Sequence, residues 1–204
     1  GCDVAGYFAR SRGFAVGFAT DVNAAALAEY AVAGDDAAGG LAYLTIGTGI
    51  GGGLVLGGRP VHELAHPEVG HAYPRRHPED RDFAGGCPRH GDCFEGLASG
   101  PAIFARWGAS LSELPADHPG YAIIADYIAQ ACHMLFAVAA VSTVVVGGGV
   151  AQTPGLLARV VERARTLDAG YLPGGARHRV IAPRCGTNSG IVGALMLAKR
   201  ALAG

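Results

Sequence analysis

Charge is scarce in this chain. Charged residues fill 16% of its 204 positions, and acids and bases nearly cancel to a formal net charge of −1. With no basic stripe, nucleic acid is not an expected partner. No apolar run approaches the length of a membrane span and no signal peptide precedes the first structured segment, so no membrane is expected either. Internal repeats and low-complexity tracts are also missing. The five cysteines are an odd number, and without a secretory signal they favour metal over disulfide. A cytoplasmic location follows as an expectation. The first residue is Gly1 rather than methionine, which suggests a chain that begins inside a longer protein.

Hydrophobic residues and glycine are plentiful. Half of the residues are hydrophobic, enough for a real core in one large domain or two small ones. The 33 glycines bunch at 47–58 and 147–149 among aliphatic and β-branched residues, so tight turns between buried strands explain them better than disorder. Buried-strand patterns cover 14–19, 41–46, 54–56, 143–146 and 179–182. Helical patterns cover 22–33, ended by Gly34, then 99–107, 119–140, 154–167 and 189–202, with Thr153 and Pro154 as cap and first turn of the fourth. Strands alternating with helices predict an α/β domain. Residues 66–93 are polar and aperiodic and read as a long loop; such loops are usually functional or cross-linked.

Three groups of residues carry candidate chemistry. The run TIGTGIGGG at 45–53 contains G-x-G-x-x-G, but it leads into strand-like GLVLGG instead of a helix, and it lacks the Lys-Ser/Thr ending of a P-loop. It reads as a β-hairpin with a turn over Gly47–Gly53, whose amides and Thr48 hydroxyl can face phosphate oxygens. A plain glycine turn fits the same residues. Second, His71, Cys87, His90 and Cys93 supply two imidazoles and two thiolates, with C-x2-H-x2-C spacing and His71 upstream. This is a ligand set for tetrahedral zinc, and four protein ligands leave no open position, so the ion would be structural. The competing reading is two buried free thiols beside surface histidines. His62, His66 and His77 are surplus to the set and default to surface or hydrogen-bonded roles. Third come the carboxylates. Asp21 and Asn23 sit at a strand-to-helix corner, where α/β proteins place reacting groups, although Asp also caps helices well. Zinc on His71 and Cys93 would bring Glu68 and Glu95 together as acceptors for a polyhydroxylated ligand; otherwise both face solvent.

In combination these segments resemble the ROK family of repressors, open reading frames and kinases. The run LTIGTGIGGGLVLGGRPVHELAHPEVGH resembles its signature from Ile46 to His71, departing at Glu63, where the signature has glycine. CPRHGDCFEGLASGPAIFARWG resembles the bacterial fructokinase branch, and TDVNAAALAE, VVVGGGV and NSGIVGALMLA are similar to other family segments. The resemblance implies an actin-like, ribonuclease H-like α/β fold of two lobes. Residues 1–36 would be the tail of an incomplete first lobe, and residues 37–204 the second lobe with a zinc loop at 66–95. It implies transfer of the ATP γ-phosphoryl group, with Mg2+ accompanying ATP, to the 6-hydroxyl of fructose. Asp21 would be the catalytic base, with Asn23, Glu68, His71 and Glu95 as sugar contacts. Thr48 and Gly49 would serve the phosphate loop, and Gly148 and Gly149 the adenosine-side turn. Thr20, where glucokinase-type members have asparagine, favours fructose over glucose. The alternatives are another hexokinase acting on glucose, mannose or an N-acetylated amino sugar, a sugar-sensing repressor, or a partial gene product. The family commonly forms dimers, so a homodimer is expected. Nothing before Asp21 matches the family's first phosphate motif, so this polypeptide alone is expected to have little or no kinase activity.

Overall fold

The computed structural model describes residues 2–62 and 65–203, so Glu63 lies outside the described residues. The centre is a five-stranded mixed sheet. β1 (Leu41–Ile46) pairs antiparallel with β2 (Ile50–Leu56), which pairs antiparallel with the short β3 (Arg59–Pro60). On its other side β1 pairs parallel with β4 (Thr143–Gly147), and β4 pairs parallel with β5 (Arg179–Ile181), giving the order β3-β2-β1-β4-β5.

Period-two alternation in β1 divides the core between the two faces of this sheet. Ala42, Leu44 and Ile46 face a cluster built with α3 (Phe94–Ala98), α5 (Gly120–Ala139) and α6 (Leu156–Asp168). Leu41 and Tyr43 face a second cluster with Ala25, Ala26 and Ala33 of α2 (Asp21–Ala33). Outside α2 lies α7 (Ser189–Ala203), and the two helices pack along each other. Residues 21–36, which the resemblance assigns to the first lobe, therefore pack directly onto the sheet. By length and composition α5 could cross a membrane, contrary to the expectation that no run comes close, but here it is mostly buried as the core helix.

Three sequence expectations need correction. Residues 14–19 form no strand: they follow α1 (Val4–Arg12) and lie along α7, with Phe14 60% and Phe18 76% exposed. An apolar run becomes a strand only when another strand takes up its backbone groups, and none does so here among the described residues. The glycine turn is only Gly47–Gly49, because β2 begins at Ile50 and its glycines pair across to β1. The helix expected from residue 154 begins at Leu156, entered through Gly155 in the left-handed region (φ 77°), which keeps Thr153 and Pro154 outside it.

Candidate active site and metal centre

Thr20 caps α2, its hydroxyl accepting the Asn23 N–H at 3.2 Å. That frees Asp21 from the capping role its position suggested. Among the described residues the exposed Asp21 carboxylate accepts only the neighbouring Val22 N–H, at 2.9 Å, and it opens onto a cleft of about 390 Å³. The β1–β2 turn contributes Gly47, Thr48 and Gly49 to the same cleft, the loop contributes His66, Glu68 and His71, and the first turn of α3 contributes Glu95. Six sequence candidates thus meet in one space. Glu95 does not face open solvent: its Oε2 accepts the Ile50 N–H at 3.0 Å, which fixes it at the root of β2. Glu68 lies 2.7 Å from His66 Nε2 through Oε1 and 4.0 Å from His71 Nε2 through Oε2. His66, treated as surplus from sequence, is therefore part of the cleft wall. Asn23 is not: it is 1% exposed, and its Nδ2 donates to the Val61 carbonyl at 3.4 Å.

The four metal-type ligands converge within 4.8 Å of one another. His71 Nδ1 lies 3.9 Å from Cys87 Sγ and 3.7 Å from Cys93 Sγ, and His90 Nδ1 lies 3.8 Å from Cys87 Sγ. Zinc–sulfur and zinc–nitrogen bonds of ordinary length in a tetrahedron put S and N about 3.6 Å apart, so the donor set fits such an ion. Backbone N–H groups of Arg89 and His90 hold the Cys87 thiol below its ordinary value, whereas burial pushes Cys93 up. Because Nδ1 of His71 faces the sulfurs, its Nε2 is left for Glu68 and the cleft.

Sequence reasoning missed a second anchor of the same loop. Asp80, buried in the 3-10 turn Pro78–Asp80, accepts two bonds from Arg106, Nε and Nη2 each at 2.8 Å, and one from the Tyr127 hydroxyl at 2.7 Å. Arg106 stands at the end of α4 (Gly100–Trp107), its side chain 4% exposed and stacked 3.9 Å over the Phe83 ring. Burial, then the Asp80 bond, push the Tyr127 hydroxyl up to about 12. No spacing rule links positions 80, 106 and 127; only the fold does.

A second cleft, of about 470 Å³, opens at the C-terminal ends of β1 and β4. Such ends are where open parallel sheets place ligands. Gly147, Gly148, Gln152, Gly186, Thr187 and Ser189 are among its walls, and Thr45 borders both clefts. Gly148 sits at φ 92°, and a Cβ there would stand 2.4 Å from the Ile46 carbonyl oxygen, so this corner requires glycine. Gly149 does not line the cleft; it is exposed at the start of the next 3-10 turn. A larger groove of about 900 Å³, between residues 75–81 and helices α5 and α6, contains none of the sequence candidates.

The sequence model of the ROK family matches residues 1–201. The chain belongs to the ROK family. Among its relatives, the fructokinase of Zymomonas mobilis subsp. mobilis is 44% identical over 199 residues, covering 96% of this chain and 66% of its own length. The fructokinase of Pediococcus pentosaceus is 39% identical over 184 residues, covering 90% and 64%. This chain thus spans slightly under two thirds of either relative. A solved ROK glucokinase from Streptomyces griseus, in complex with glucose and AMPPNP, superposes with a TM-score of 0.67 at 25% identity, covering 97% of this chain and 72% of that one. The fold is that of the actin-like ATPases, as the resemblance implied.

Proposed function

We propose that this ROK chain is the sugar-binding and nucleotide-binding part of an ATP-dependent fructokinase. The observation that carries this reading is Asp21, an uncapped carboxylate sharing one cleft with Glu68, His71 and Glu95. Fixed acceptors around one small space suit a ligand that presents several hydroxyls. In the proposed reaction the 6-hydroxyl of fructose attacks the γ-phosphorus of ATP and its proton passes to Asp21. The bond from that phosphorus to the β–γ bridging oxygen breaks, and ADP leaves. Phosphoryl transfer of this kind depends on positioning and charge neutralisation. ATP arrives as its magnesium complex, with Thr48 and Gly49 on the phosphate side and Gly148 at the corner of the second cleft.

Zinc is the metal we assign to His71, Cys87, His90 and Cys93. Bound there it would supply no reaction step, only a rigid support that keeps the His71 ring neutral and its Nε2 toward the sugar. A pair of cysteines placed to bind zinc suits a reducing, cytoplasmic setting. A homodimer is the assembly we expect.

The test is a phosphorylation assay of the complete polypeptide on fructose, glucose, mannose and N-acetylglucosamine. Fructose should be the preferred acceptor. Asp21→Asn should lower kcat about 10²–10⁴-fold, the usual range for removing a general base, and should leave sugar affinity nearly unchanged. Full activity in Asp21→Asn would refute the assignment of the base.

A further inference from the structure

Glu29 is a carboxylate that the reading above leaves without a task. It lies two turns beyond Asp21 on α2 and is 1% exposed. A carboxylate that deep persists only where its oxygens are bonded. Its Oε2 accepts the Arg184 N–H at 2.8 Å, and its Oε1 accepts the Cys185 N–H at 3.1 Å and the Ser189 hydroxyl at 2.6 Å. The donors lie 155 to 160 positions away in the chain, two in the turn that leads into α7 and the third, Ser189, at its first residue. Each is neutral. The guanidinium of Arg184 points elsewhere, to the Val32 and Ala33 carbonyls that end α2 and to Asp36. Burial, and after it the Glu29 charge, push the Cys185 thiol up. The same turn supplies Gly186 and Thr187 to the second cleft, and the start of α7 supplies Ser189.

We propose that Glu29 is the positioning residue for the nucleotide. It fixes the 184–189 turn, and with it one wall of the second cleft, to the helix that presents Asp21. This rests on the assignment of that cleft to the nucleotide. One rigid helix then carries the proton acceptor at its first residue and the anchor of the nucleotide wall at its middle. The close approach of Gly193 to the Ala24 carbonyl, where a Cβ would stand 1.8 Å away, holds α7 along α2. It does not orient the turn before α7; the Glu29 bonds do that, with the Arg184 guanidinium adding a tie to the end of α2.

Glu29→Gln keeps the shape but gives one position an N–H that faces another donor. Binding of magnesium–AMPPNP and of fructose would be measured by calorimetry on the complete polypeptide, beside thermal unfolding. AMPPNP affinity should fall about 10-fold to 100-fold, as expected for loss of bonds to a charged acceptor. Fructose affinity should change by less than about twofold. Ser189→Ala removes one donor only and should weaken AMPPNP about threefold to tenfold; it decides the matter alone if Glu29→Gln does not fold. Equal loss of both ligands, or unchanged AMPPNP affinity in the folded variants, overturns the proposal. If the unsubstituted protein binds fructose but not AMPPNP, the nucleotide assignment of the cleft is wrong and this role falls with it. Fructose binding failing while AMPPNP binds would sink the sugar reading alone.

Discussion

At the scale of single residues, the informative side chains are those whose task changed between sequence and structure. Asp21 could have been a cap, but Thr20 takes that role one position earlier and the carboxylate is left for the cleft. Glu95 gains a backbone donor from β2, and Asn23 turns away into the core. Asp80 is held most tightly, by a two-point bond from Arg106 and by Tyr127. Breaking a buried pair leaves a charge uncompensated, so Asp80→Ala should destabilise by about 3–5 kcal/mol in urea unfolding. Tyr127 gives a pH prediction. Its folded value, about 12, lies above the ordinary 10.0. The folded state therefore holds its proton longer, and stability falls as pH rises between those values. Tyr127→Phe should flatten the loss of stability between pH 10 and 12, read from unfolding curves at stepped pH. Cys132, buried and also pushed up to about 12, will leave a residual slope in that variant.

At the scale of elements, the loop from 66 to 93 is the clearest case. Its length and lack of periodicity announced a loop, and its cysteine and histidine spacing announced the four side chains that converge there. Besides the four-ligand cluster, the loop is held by the Asp80–Arg106–Tyr127 group and by paired bonds between the Arg75 backbone and Gln130 of α5. Elemental analysis should find about one zinc per chain. Chelation should then loosen the segment around Cys87–Cys93 first, seen as new proteolytic cuts there, while Asp80 still pins the segment near α4 and α5. Cuts spread over the whole chain would mean that the metal supports the fold globally. The helices 119–140 and 189–202 were readable to within about a residue from their apolar patterns, and they are observed as Gly120–Ala139 and Ser189–Ala203. Residues 14–19 were not, because an apolar run carries no information about whether a neighbouring strand exists to receive it.

At the scale of the whole molecule, α2 is the member that joins the parts. It packs on the sheet through its alanine face, on α7 at Ala24 and Gly193, and on the turn before α7 through Glu29. Gly193→Val should force the two helices apart and cost about 1–3 kcal/mol, the usual penalty for overpacking, measurable as a lowered Tm. Both clefts sit where this arrangement brings strand ends and helix starts together, and Thr45 is the wall they share.

Local rules were enough for the features that depend on neighbours in the chain. These are the strand at 41–46, the glycine corner after β4, the long helices, the four candidate metal ligands and the family to which they point. Residue type and spacing carry that information because caps, turns and periodic apolar faces act over a few positions. The tertiary structure alone decided that Asp21 is free and Asn23 buried, that His66 lines the cleft, that Asp80 meets Arg106, and that Glu29 holds a turn 155 positions away. Each of these depends on which donor reaches a buried acceptor once the chain has closed on itself, and that pairing has no local signature for a sequence to display.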